Sequence, residues 1–76
     1  MIKYNKKINI VGLFCPDPII LIRHTLRKMN KNNILLIIAD DPTTKREIPI
    51  FCHFIGHQLL KKNIKNIPYQ YFIQKR

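Results

Sequence analysis

Cys15 stands in the run Gly12-Leu13-Phe14-Cys15-Pro16-Asp17-Pro18, directly before a stretch of helical apolar spacing. Proline is tolerated in a first helical turn because the N–H groups there have no intrahelical acceptors. Pro16 and Pro18 therefore mark a helix start. They place Cys15 where bare amides and the positive end of the helix dipole favour thiolate over thiol. Asp17 opposes this, since a nearby carboxylate favours the protonated thiol while it caps bare amides. The expectation is a moderately acidified sulfur, able both to accept and to release another sulfur atom. Pro16, Asp17 and Pro18 then form its supporting loop. The plainer alternative is a half-buried cysteine that packs as a small hydrophobe.

Other candidates are weaker. Cys52 lies beside Phe51 and Phe54 in a second helical segment and reads as packed and inert. The two cysteines are far apart in the chain, so no Cys-x-x-Cys redox pair exists. His53 and His57 have the four-residue spacing of a helical metal pair, but Gly56 is expected to end the helix between them, and no metal is expected. His24 reads as a surface residue. Asp40 and Asp41 read as a loop and helix-start feature, or alternatively as a lining of the Cys15 rim that a partner touches. Arg23, on the outer face of the Cys15 helix, is a candidate for docking an acidic partner or a solvated arginine. No glycine-rich phosphate loop and no nucleophile elbow is present.

A chain of 76 residues is expected to form one domain, residues 1–76. Its longest apolar run, Ile34 to Ala39, is strand-sized and far short of the ~18 residues that span a bilayer. No hydrophobic segment follows Met1, so a signal peptide is not expected and the chain is read as cytoplasmic. A reducing compartment disfavours a structural disulfide, which leaves the thiols free for chemistry. The net charge of +10 invites a nucleic-acid reading. However, the ten lysines and four arginines never form a long block, and they accompany many isoleucines and asparagines, as coding bias alone produces. The charge reads mainly as a solvated surface, and direct tRNA binding is not expected.

Ile8 to Val11 predicts a first strand closed by Gly12. From Pro16, the steps Ile19, Ile22, Leu26 and Met29 predict a helix whose other face carries Arg23, Arg27 and Lys28. Ile34 to Ala39 predicts a strand central in a sheet. Thr44-Lys45-Arg46-Glu47 matches the capping box of a second helix, with Pro49 requiring an irregular first turn or a later start near Ile48. Gly56 predicts its stop. Two strands follow, about His57 to Ile64 and Tyr69 to Gln74, turned by Lys65 to Pro68. The order βαβαββ implies an α/β two-layer sandwich (α+β): a four-stranded mixed sheet with two helices on one face. Parallel first and second strands end at one rim, which should bring the Cys15 loop beside Asp40-Asp41-Pro42.

The run Gly12-Leu13-Phe14-Cys15-Pro16-Asp17-Pro18 resembles the Cys-Pro-x-Pro signature of the TusA family of small sulfur carriers. Ile34 to Pro42, Arg46 to Cys52 and Pro68 to Ile73 resemble the same family in order, so the likeness spans nearly the whole chain. Departures are Ile50, where glycine or alanine is common, and a lysine-rich second half. The resemblance implies that Cys15 takes sulfane sulfur from a cysteine desulfurase as a persulfide. It further implies transfer to a TusBCD-like relay that ends in 2-thiolation of the tRNA wobble uridine. The chain would bind no cofactor, and it would be a carrier with a covalent intermediate rather than a stand-alone catalyst. The implied fold is the same sandwich, similar to the C-terminal domain of a translation initiation factor. The alternative from another class is a small basic RNA-binding module in which Cys15 is structural.

Overall fold

A computed structural model describes residues 2–76. Six elements follow one another: β1 (Lys6–Asn9), α1 (Asp17–Lys28), β2 (Ile34–Ala39), α2 (Thr44–Ile55), β3 (Gln58–Asn63) and β4 (Tyr69–Gln74). The sheet order is β1-β2-β4-β3, with β1 parallel to β2 and the other two pairings antiparallel. Both helices cover one face, giving the four-stranded mixed-sheet sandwich that the element order implies.

Composition explains which strands are central. β2 (ILLIIA) and β4 (YQYFIQ) are largely buried, whereas β1 (KKIN) and β3 (QLLKKN) carry lysines at the sheet edges. Charged edge strands resist pairing with another chain. Leu35, Ile37 and Ala39 of β2 meet Tyr71 and Ile73 of β4 and, from the helices, Ile22, Leu26, Ile48, Phe51 and Cys52. Each leucine or isoleucine among them contributes about 1.5–3 kcal/mol relative to exposure. On α1 the inner stripe is Pro18, Ile22, Thr25 and Leu26, with Ile19 only half-buried. Lys75 Nζ donates to the carbonyls of Met29 (2.7 Å) and Arg27 (3.3 Å), which closes the C-terminal end of α1.

Two local readings need correction, and one alternative is decided. The first strand is Lys6–Asn9 rather than Ile8–Val11, because pairing with β2 ends at Asn9 opposite Ile38 and Val11 turns out to solvent. The capping box does not form: the residue before α2 is Thr43, and its side chain makes no cap hydrogen bond. Glu47 is instead drawn to Cys15. Of the two readings of Pro49, an irregular first turn is the one observed. The Thr44, Lys45 and Arg46 amides bond the carbonyls of Asp41, Pro42 and Thr43 three residues back, and the helix then runs unbroken through Pro49. Gly56 ends it in the left-handed region at φ 92°, a conformation that costs glycine nothing.

Candidate functional site

The β1–α1 and β2–α2 loops meet at the rim where the two parallel strands end, and two aspartates join them. Asp40 Oδ1 accepts the Gly12 amide at 2.9 Å. Gly12, at φ 90°, makes the turn that an L side chain would strain. Asp41 Oδ2 accepts the Cys15 amide at 3.0 Å, while its two oxygens also take the Thr43 amide (3.0 Å) and hydroxyl (2.8 Å). The bonds from Thr43, backbone first and hydroxyl second, hold the Asp41 carboxyl below its ordinary range, and the Cys15 amide adds to this. From beneath, Thr44 Oγ1 donates to the Asp41 carbonyl at 2.7 Å. Thr44 has one hydroxyl hydrogen, so the 2.9 Å contact with Tyr71 is a bond that the Tyr71 hydroxyl donates. A core tyrosine thus anchors the loop that aims Cys15.

The Cys15 side chain is exposed and unpaired with Cys52. Its Sγ donates to Glu47 Oε2 at 3.0 Å. This corrects the expectation of an acidified thiol. The hydrogen bond to Glu47 raises its pKa above the ordinary value, partial desolvation adds to this, and the charges of Glu47, Asp41 and Asp17 push the same way. Helix-dipole effects act only within the first turn, and at this sulfur three carboxylates oppose them. Pro16 occupies the position before α1, Asp17 begins the helix and Pro18 is buried under its first turn.

Among the sequence candidates, the rim gathers Cys15, Pro16, Asp17, Pro18, Asp40 and Asp41. Asp41 is only 6% exposed and its carboxylate is spent within the loops. It is therefore a positioning residue, in keeping with the loop and helix-start reading of the sequence. Arg23 lines a separate cleft with Leu26, Arg27, Ile55, His57 and Lys75. His57 lies beyond the end of α2, where its Nδ1 accepts the Arg76 amide at 3.1 Å, so it is not aligned with His53.

Glu47 is the residue that sequence reasoning missed. Its place three residues after a threonine suggested a cap and masked a contact 32 positions away. Beside it, Ile19, Arg46, Ile50, Phe51 and Phe54 complete an open groove of about 400 Å³ between the helices. Phe54 is 85% exposed and Phe14, next to the thiol in sequence, 70%. Isolated apolar residues are ordinary on surfaces, but bulky ones gathered in one groove, beside the glutamate that holds the thiol, mark a contact surface.

Comparison with known proteins agrees with this geometry. The SirA-like protein from Desulfitobacterium hafniense has a similar structure, with a TM-score of 0.76 over 92% of this chain and 95% of that one at 15% identity. That likeness concerns the fold. The sequence itself, over residues 6–75, matches the family described as Sulfurtransferase TusA, so a chain that holds its Cys-Pro-Asp-Pro thiol open at the sheet rim belongs to the TusA family.

Proposed function

We propose that this protein is a sulfur carrier in which Cys15 accepts a sulfane sulfur from the persulfide of a cysteine desulfurase. The observation that carries the reading is an exposed thiol at a rim rather than in an enclosed pocket, hydrogen-bonded to a glutamate that also lines an open apolar groove. A small substrate would require concave burial, whereas a sulfur delivered by another protein requires an accessible sulfur and a surface to dock on. The Cys15 sulfur attacks the terminal sulfur of the donor persulfide, as in thiol–disulfide exchange. One S–S bond forms at Cys15 Sγ and the donor's S–S bond breaks. The departing donor sulfur ends as a thiol with the proton that Cys15 loses. Cys15–SH and R–S–SH become Cys15–S–SH and R–SH, with no net oxidation.

In this reading Pro16, Asp17 and Pro18 shape the loop, Asp41 fixes the Cys15 backbone, and Asp40 and Arg23 are candidates for contact with partners. Downstream, the sulfur passes to a TusBCD-like relay and on to 2-thiolation of the tRNA wobble uridine. The test is intact mass after incubation with a cysteine desulfurase, pyridoxal phosphate and cysteine. Wild type and Cys52→Ser gain the mass of one sulfur atom, and Cys15→Ser gains none. Loading that survives in Cys15→Ser and disappears in Cys52→Ser overturns the assignment.

A further inference from the structure

The Cys15–Glu47 contact has an unusual second half. Glu47 Oε2 takes the thiol hydrogen, but its other oxygen, Oε1, is buried with no hydrogen-bond partner among the described residues. A buried carboxylate oxygen without a donor is costly and rare in folded proteins. The charge around it is equally one-sided. The chain has four acidic residues: Asp17 in the first turn of α1, Asp40 and Asp41 after β2, and Glu47 in α2. Glu47 accepts from the Cys15 sulfur, the charges of Asp41 and Asp17 disfavour its thiolate, and Asp40 holds Gly12 in the same loop. The hydrogen bonds that Asp40, Asp41 and Glu47 accept come from Gly12, Cys15 and Thr43, none from a lysine or arginine. Yet the chain holds fourteen of those cations. Of the cations on the first turn of α2, Lys45 lies over the Tyr69 ring at 4.9 Å and Arg46 lines the apolar groove.

We propose that Glu47 keeps the Cys15 thiol protonated in the free carrier, and that a sulfur donor releases it by bringing a cationic side chain to this carboxylate collar. The inference rests on the carrier reading and adds how the sulfur is kept quiet between transfers. Thiolate, not thiol, is the species that attacks disulfides and is oxidised. A thiol whose hydrogen is held by a carboxylate is therefore poorly reactive toward small molecules. A cation arriving at Glu47 replaces the thiol as its partner and offsets the charge of Asp17 and Asp41, so the anion at Cys15 becomes favourable. The proton passes to solvent, which returns one to the departing donor sulfur, so the exchange still balances, and no oxidant or reductant takes part. Burial could not provide this control, because a partner cannot readily restore water to a packed thiol. A partner can neutralise charge.

Two measurements test the proposal, neither needing a sulfur donor. First, the wild-type protein is treated with an ammonium-bearing and a sulfonate-bearing methanethiosulfonate, each rate divided by that on mercaptoethanol. The net charge of +10 alone favours the anionic reagent. The collar predicts the reverse, a preference of about tenfold for the cation, equivalent to about 1.4 kcal/mol. Second, iodoacetamide labelling of Cys15 is followed against pH in a Cys52→Ser background. Glu47→Gln moves the midpoint to lower pH and raises the neutral-pH rate several-fold, Glu47→Asp lies between, and the cation preference shrinks in Glu47→Gln. A wild type that prefers the anionic reagent, or a Glu47→Gln midpoint at or above the wild-type value, overturns the proposal. Failure of sulfur loading with these shifts intact would defeat the carrier reading instead.

Discussion

Two thiols in one small chain show two ways of suppressing a cysteine. Cys52 sits on α2 in the core, where burial alone lifts its pKa to about 11. Cys15 is in contact with solvent, and a carboxylate from the first turns of the same helix raises its pKa. The side chain that restrains one sulfur therefore lies only five positions before the other sulfur. Desolvation is undone only by opening the fold, whereas a charge is undone by a countercharge. Only the second kind of restraint is compatible with a group that must react on contact with a partner.

The sharpest way to break this comparison is to label both thiols in the folded protein. Native iodoacetamide treatment should modify Cys15 alone. Cys52 should react on the order of 10³-fold more slowly or slower still, since its exposure requires opening that is populated at about 10⁻³ or less. Peptide mapping of a time course measures both rates. Rates within tenfold of each other would mean that the α2 core is loose and the contrast false.

The next effect is on stability. Ile48 is fully buried against β2 and β4 neighbours, while Phe54, six positions on, is 85% exposed in the groove that Glu47 also lines. Ile48→Ala should cost about 2–5 kcal/mol through lost burial and the cavity left behind. Phe54→Ala should change stability by no more than about 0.5 kcal/mol. Urea titration measures both. If Phe54 faces a partner, its truncation weakens sulfur loading from a donor protein while leaving alkylation of Cys15 unchanged. Equal losses of stability in the two variants would remove the division of α2 into a core side and a contact side.

The core half of this comparison was largely legible in the sequence, and the rim half was not. Ile34 to Ala39 and Tyr69 to Gln74 appear as strands at the boundaries read from the sequence, because unbroken or aromatic-rich apolar runs leave no other period available. The meeting of the Cys15 and Asp40-Asp41 loops followed from topology, since parallel strands end at the same side. The boundary of β1 did not, because an edge strand takes its register from its neighbour rather than from its own Ile-Asn alternation. Glu47 was hidden for another reason. A Thr-x-x-Glu pattern has a local use and a long-range use, and sequence spacing reports only the local one. The choice was decided by the distant Cys15 thiol. Rim chemistry depends on which side chains cross from one loop to another, which no periodicity encodes.

Asp41 sharpens the rim half. Its carboxyl lies below the ordinary range in the folded protein because it accepts bonds from Thr43 and the Cys15 amide. A depressed carboxyl contributes stability that is present above its unfolded value of about 3.9 and lost as pH falls through the lower folded value. Asp41→Asn should lower the thermal midpoint at neutral pH, and the difference from wild type should narrow in acid. Sulfur loading at Cys15 should fall as well, because the amide that fixes the loop loses a charged acceptor. A gap that widens on acidification would show that Asp41 acts through something other than its charge.

The smallest effect belongs to the far end of α2, and it separates the ends of the helix cleanly. His57 follows Gly56, and its amide bonds the Cys52 carbonyl at 3.0 Å. Burial first and the Lys75 charge second lower its pKa. The unfolded chain therefore takes up that proton at higher pH than the folded one. Folding loses stability as pH falls from about 6.5 toward the lowered value, the direction linkage requires. His57→Gln should flatten this part of the urea midpoint against pH by a small margin, because the ring is partly open to solvent. The same substitution should leave the pH profile of Cys15 alkylation where it is, since the Glu47 carboxylate, not the helix as a whole, controls that sulfur. A matching shift in both profiles would mean that α2 couples its two ends, and the rim would no longer be an independent chemical unit.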